Sequence, residues 1–430
     1  MRYKILRLKL HYNSAIFRNF CTFIVQFVYL CCYEISKLIA MDILLSAYME
    51  TQLQQTTSVF HRYMYDRINW EARMFGLVGP RGIGKSTMIL QYIKEHKEDK
   101  RLFYVSADHL YFSLHTLVDL VDEFAKEGGE QIFIDEIHKY ENWSRELKQI
   151  YDTHPDVKVG FTGSSVLDIY KGYADLSRRA PIYMMQGLSF REYLAMFHQI
   201  EAPIYSLDDI IAQKAKLTTL NHPLPLFRDY LKRGYYPFSN ENDFELRLRQ
   251  VVNQTMEVDI PQYAKMNVST GRKLKKLLVV IAQSVPFKPV MDSIATVIGV
   301  SRNALPDYFL YMEQAGMIGQ LRDDTGGIRG IGKVDKVYLD NTSLAYMLGE
   351  EASDIGNIRE TFFYNQLRVT TDVISSRTSD FEIDGKTFEV GGKKKGKKQI
   401  SEAKEGYIVK DDIEFGSANI IPIWNFGLMY

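Results

Sequence analysis

From Met74 onward, apolar residues gather in short runs separated by helical stretches. Met74–Val78, Leu102–Ser106, Gln131–Asp135, Val157–Thr162 and Ile182–Gln186 have the continuous apolar character of strands buried on both faces. Between them, Leu117–Lys126 and Trp143–Asp152 carry apolar residues at helical spacing, and the segment from Met41 to about Tyr65 reads as helical as well. Strand and helix in alternation predict an α/β fold with a parallel sheet and helices on both of its faces.

The pattern then changes. Residues 189–270 read as all helical, with turn signals at Pro223, Pro225, Gly234 and Pro237 and no catalytic constellation, which suggests a connector or lid. Residues 271–350 hold an apolar helix over 290–298, a tight turn at Gly299 and a second helix capped by Ser301 and running through Ala315. Two strands, Gly316–Leu321 and Val334–Leu339, flank the glycine-rich stretch Asp323–Gly332, an order that predicts a winged helix. Its second helix is the one that could enter a DNA major groove. That helix carries Pro306, Asp307 and Glu313 beside a single Arg302, so protein contact or packing is the other reading. Residues 351–430 mix a helix starting near Ile358 with strands at Asp380–Ile383 and Lys386–Val390. Lys393, Lys394, Lys395, Lys397 and Lys398 follow as a solvated hairpin tip or a phosphate-binding patch.

At 430 residues the chain is long enough for two or three domains, and 46% hydrophobic with 25% charged residues is the composition of a soluble globular protein. The formal charge is zero, so any contact with nucleic acid must come from a local patch. The only cysteines are Cys21, Cys31 and Cys32, which leaves the body of the chain without a disulfide framework or a cysteine zinc site and suits the cytoplasm. In residues 1–40, basic positions precede an apolar run from Phe20 to Tyr33 that is too short to span a bilayer. This segment is expected to be a non-native or upstream extension outside the fold, with a membrane anchor as the alternative.

The candidate chemistry lies at two strand ends. Gly79-Pro80-Arg81-Gly82-Ile83-Gly84-Lys85-Ser86-Thr87 fits the phosphate-loop pattern between a predicted strand and a predicted helix. Gly79, Gly82 and Gly84 let successive N–H groups face a phosphate, and the helix N-terminus adds partial positive charge. Lys85 would reach the β- and γ-phosphates, Ser86 would offer its hydroxyl to Mg²⁺, and Arg81 and Thr87 complete the loop expected to hold ATP. About fifty residues on, the strand Gln131–Asp135 ends at Asp135-Glu136. In a doubly wound sheet this end faces the same ligand, so Asp135 would hold Mg²⁺ through water and Glu136 would orient or deprotonate an attacking water.

Taken together, several stretches resemble the prokaryotic AAA-type ATPases that carry a restriction-nuclease-like C-terminal domain. They are the loop, Ile134-Asp135-Glu136-Ile137-His138 with Trp143, Phe161-Thr162-Gly163-Ser164-Ser165, Leu176-Ser177-Arg178-Arg179 and Leu188-Ser189-Phe190-Arg191-Glu192-Tyr193. The resemblance implies a P-loop NTPase core over 41–188, Ser164 as the sensor of the γ-phosphate and Arg179 as a finger on the nucleotide, although Arg178 stands where the family has glycine. It further implies a PD-(D/E)XK-type unit over 351–430, in which Glu360, Asp380 and Glu389 match the carboxylates that hold a divalent metal. The lysine of that motif is replaced by Gly391, and Lys393 comes two positions late, which suggests a degenerate site. The functional expectation is an ATP-hydrolysing switch acting on its C-terminal modules, with DNA or protein partners and an oligomeric state left open. The alternatives are a DNA-processing ATPase with an active metal-dependent nuclease, and a nucleotide-gated interaction protein that does not hydrolyse.

Overall fold

A computed structural model describes residues 43–164, 176–283, 288–324, 333–349, 355–393 and 405–430. The expected extension over 1–40, Ser165, most of the glycine-rich stretch before Val334 and the lysines from 394 to 398 lie outside the described residues.

Five parallel strands form the first sheet: β1 (Met74–Val78), β2 (Leu102–Ser106), β3 (Gln131–Asp135), β4 (Lys158–Gly163) and β5 (Ile182–Met184), in the order β2-β3-β4-β1-β5. The apolar runs fix β1, β2 and β3 at the expected residues. β4 lies one residue later than expected, and β5 stops short of Gln186. All five residues of β1 and of β3 are buried, because helices cover both faces. On one face Val105, Ile132, Ile134 and Val159 pack with Leu147 and Ile150 of the helix Trp143–Thr153. On the other, Phe75, Leu77 and Phe133 join Met88, Ile89 and Tyr92 of the helix Lys85–His96. Gly160 leaves room for Phe133, whose ring lies 2.6 Å from where a Cβ would stand.

The next segment is helical, beginning with Phe190–His198, which a Ser189/Glu192 capping box starts. Pro225 does not break this region. It falls in the first turn of the helix Leu224–Asp229, where no N–H is needed, and Gly234 ends the π turn Tyr230–Gly234 that continues it. The helix Val268–Gln283 runs across position 270, where the sequence suggested a boundary. Met291–Ile298 ends at Gly299 with φ 67°, a left-handed turn that favours glycine. Ser301 caps the 3₁₀ turn Arg302–Ala304, so the second helix begins only at Leu305 and runs to Gln314. The antiparallel strands β6 (Ile318–Arg322) and β7 (Val334–Leu339) follow.

The helix Ile355–Leu367 leads into a second five-stranded sheet: β8 (Ile374–Ser375), β9 (Phe381–Ile383), β10 (Lys386–Gly391), β11 (Gly406–Lys410) and β12 (Ile420–Pro422). Their order is β12-β11-β10-β9-β8, with β10, β11 and β12 parallel and β8 and β9 antiparallel. Aromatic contacts carry the apolar core from the helical segment into this unit: Phe190 lies 5.3 Å from Phe227, Phe227 4.9 Å from Phe362, and Phe363 4.8 Å from Phe426. Among the described residues, no helix is long and apolar enough to cross a membrane.

Candidate active site

The loop between β1 and the helix Lys85–His96 bends through left-handed residues, with φ 77° at Gly82 and 94° at Gly84. A Cβ at Gly82 would stand 2.7 Å from the Phe238 ring, and one at Gly79 would stand 2.2 Å from the main-chain oxygen of Met185, so both close approach and conformation require glycine here. Lys85 is 5% exposed and donates to the carbonyls of Gly79 and Pro80, each at 2.8 Å. Burial pushes its ammonium down to about 8, partly offset by the facing carboxylates of Glu136 and Asp135. Ser86 is half-buried at the start of the helix, and Thr87 is exposed.

At the end of β3, both oxygens of Asp135 accept hydroxyl bonds, from Tyr104 at 2.7 Å and from Thr162. The chain then leaves the strand through Glu136 in a left-handed conformation, φ 49°, and its N–H donates to Thr162 Oγ1 at 3.1 Å. A non-glycine residue held this way is strained, and it turns the Glu136 side chain toward β4. There Ser164 Oγ donates to Glu136 Oε2 at 2.9 Å, and His138 Nε2 lies 3.3 Å from the same oxygen. Burial first, then the charges of Lys139 and Arg81, push the His138 imidazole down to about 3, so it is neutral. With the Ser164 proton directed to Glu136, the Nε2 facing that carboxylate is the protonated nitrogen.

Lys85, Asp135, Glu136 and Ser164 thus meet at one end of the sheet, but Arg179 does not join them. Its guanidinium pairs with Asp152 at 3.0 Å and lies 5.7 Å from the Tyr151 ring, over which Arg73 also stacks at 3.8 Å. Arg73 precedes β1, so this cluster occupies the opposite end of the strand from the loop. The sequence order after β4 does not say to which end the returning chain carries an arginine.

Other elements grip the loop. Arg62 donates to Glu192 at 3.0 Å, to the Gln186 carbonyl at 2.7 Å and to the loop carbonyl of Ile83. Glu192 is fully buried, and besides capping its own helix it accepts the Tyr63 N–H at 2.6 Å. Its second role, as counter-ion for Arg62, joins residues 130 positions apart, which no local pattern reveals. Arg81 forms a forked pair with Asp259 at 2.7 and 3.2 Å. A Cβ on Gly316, at the turn before β6, would stand 2.4 Å from Pro80. Beside Arg81 and Gly82 a cavity of about 700 Å³ opens toward Phe238, Gln250, Gln254 and Val258.

The second carboxylate group is assembled differently from the expectation. Glu360, on the helix Ile355–Leu367, and Asp380, just before β9, come together, but Lys336 of β7 lies between them, 3.3 Å from Glu360 and 3.1 Å from Asp380. Glu389 is 1% exposed and accepts from Ser379. Among the described residues, no three His, Cys, Asp or Glu side chains are gathered to hold a metal ion. Of the expected set, Glu360 and Asp380 thus share the Lys336 ammonium, while Glu389 pairs with Ser379. Lys393 is exposed, and its carbonyl accepts from Lys410 at 3.0 Å. Nothing in the spacing around Glu360 pointed to Lys336, which comes from an earlier hairpin.

Residues 71–194 match the family model of an AAA domain, and residues 224–354 match that of a domain of unknown function, DUF8612. The first of these segments holds the parallel sheet β1–β5 and folds as a P-loop NTPase α/β unit. The second match runs from the helix Leu224–Asp229 past the β6–β7 pair. No curated protein matches the chain. Among solved structures, the chain is similar to the Walker-type ATPase paby2304 of Pyrococcus abyssi, with 12% identity, a TM-score of 0.43 and coverage of 67% of this chain and 96% of the other. It is also similar to AMPPCP-bound DnaA from Aquifex aeolicus, with 13% identity, a TM-score of 0.24 and coverage of 58% and 84%.

Proposed function

We propose that this chain binds and hydrolyses ATP in the AAA-type domain and passes the change at the phosphate loop to its helical and C-terminal modules. The observation that carries this reading is the convergence of Lys85, Asp135, Glu136 and Ser164 at the carboxyl end of one parallel sheet. Lys85 exchanges the carbonyls of Gly79 and Pro80 for the β- and γ-phosphates, while the loop N–H groups and the helix N-terminus take the remaining oxygens. The Ser86 hydroxyl and the Asp135 carboxylate are hard oxygen donors that suit Mg²⁺, which when bound would offset phosphate charge. Ser164 has two acceptors to choose between, Glu136 and the γ-phosphate, so moving to phosphate releases one bond on the carboxylate that must orient water. In this reading Arg179 has no part in its own chain's site.

The route outward is the set of contacts on the loop, from Asp259 to Arg81, from Phe238 to Gly82 and from Gly316 to Pro80. The helix-turn-helix with its β6–β7 hairpin is a winged-helix module, and the unit after it is a restriction-nuclease-like fold kept for binding or assembly. The cysteine-free body suits work in the cytoplasm. The test is phosphate release by the full chain beside Glu136→Gln. Turnover in the wild type, lost in the variant with ATP binding retained, supports the reading, and a variant that hydrolyses at the wild-type rate overturns it.

A further inference from the structure

Two carboxylates drawn out of water need a cation or must give up charge. Glu360 and Asp380 are 14% and 17% exposed, and the ammonium between them belongs to Lys336, itself 10% exposed. Other donors reach the pair as well. Glu360 Oε2 takes the Tyr338 hydroxyl at 2.7 Å as well as the ammonium, and Asp380 Oδ2 takes the Val390 N–H at 3.1 Å. Lys336 and Tyr338 are two residues apart on β7, so both point from one face of the hairpin into the C-terminal unit. A divalent ion shared by these carboxylates would need the bridging position the ammonium holds, at oxygen distances of about 2.0–2.6 Å. The residues present therefore do not fit the divalent metal that the nuclease-like resemblance implies.

We infer that Lys336 is the built-in cation of this site: it takes the place of the metal and uses the acid pair to fasten the β6–β7 hairpin to the C-terminal unit. The inference deepens the assembly reading of that unit and does not depend on ATP turnover. It also places one end of the fastening on the hairpin that begins beside Pro80 of the phosphate loop.

Mn²⁺ titrated into the nucleotide-free full chain, followed by calorimetry, tests it without ATP. The wild type and Lys336→Arg should show no Mn²⁺ binding that Asp380→Asn removes. Lys336→Met should bind Mn²⁺ at least tenfold more tightly than the wild type, and the added Asp380→Asn should abolish the gain. Wild-type Mn²⁺ binding that is lost in Asp380→Asn overturns the inference, as does a folded Lys336→Met that gains nothing. The wild-type comparison decides even where Lys336→Met does not fold, and a protein that fails to release phosphate from ATP leaves this result untouched.

Discussion

At the end of β3, Asp135 and Glu136 are held by the hydroxyls of Tyr104, Thr162 and Ser164 and by a neutral imidazole, whereas Glu360 and Asp380 share an ammonium from a neighbouring strand. Both groups are acidic and partly or wholly buried, yet they suit opposite tasks. Neutral donors satisfy lone pairs without cancelling charge, so the first pair stays ready for a cation and can exchange partners cheaply. A buried ion pair has already been neutralised, and removing one partner leaves a stranded charge. Counting carboxylates does not tell a working site from a structural one, but identifying what neutralises them does.

The largest effect that separates the two sites is on chemistry. Glu136→Gln should lower ATP turnover by about 10²- to 10⁴-fold while leaving nucleotide affinity in place, measured by phosphate release and equilibrium binding. Glu360→Gln and Asp380→Asn should leave turnover near the wild-type rate. Next comes stability. Lys336→Met should cost about 3 kcal/mol, because it strands two carboxylates, whereas Thr162→Val, which removes a hydroxyl partner of Asp135, should cost about 1 kcal/mol. Urea unfolding followed by the C-terminal Trp424 and by far-UV signal reads both, and equal costs would erase the distinction.

Lys85→Ala should weaken ATP binding about 100-fold, the worth of a charge-assisted contact near 3 kcal/mol. A smaller effect follows from its titration. With the ammonium pushed down to about 8 in the empty loop, the charged form that phosphate requires is fully present near pH 7 and is lost as pH rises through about 8. ATP affinity should therefore be flat up to about pH 7 and then fall with proton uptake on binding, while Lys85→Arg holds its affinity to higher pH. An affinity that rises from pH 7 to 9 would contradict the buried, discharging lysine.

Much of the first site was legible because its parts are local. Continuous apolar runs placed β1, β2 and β3, and the glycines between β1 and its helix, which match the phosphate-loop pattern, do take positive φ. Ser164 and His138 lie within quoted motifs, although their shared contact with Glu136 depends on β3 and β4 being neighbours. The rest depends on tertiary placement. Lys336 precedes Glu360 by 24 residues and enters from another module, and Arg62 meets Glu192 across 130. Arg179 was expected at the nucleotide by resemblance, and the chain's return after β4 carries it to the far end of β1 instead. Pro225 read as a turn signal because a proline in isolation does not reveal that it opens a helix rather than ending one.

The most direct test measures both sites in one reaction. Full-length protein is incubated with ATP, Mg²⁺ or Mn²⁺ and supercoiled plasmid, and phosphate release and plasmid topology are followed together. Phosphate released in a Glu136-dependent way, with the plasmid left supercoiled, is the expected result. Nicking that disappears in Asp380→Asn, or no phosphate release at all, would contradict the assignment of chemistry to the phosphate loop and of structure to the Lys336 site.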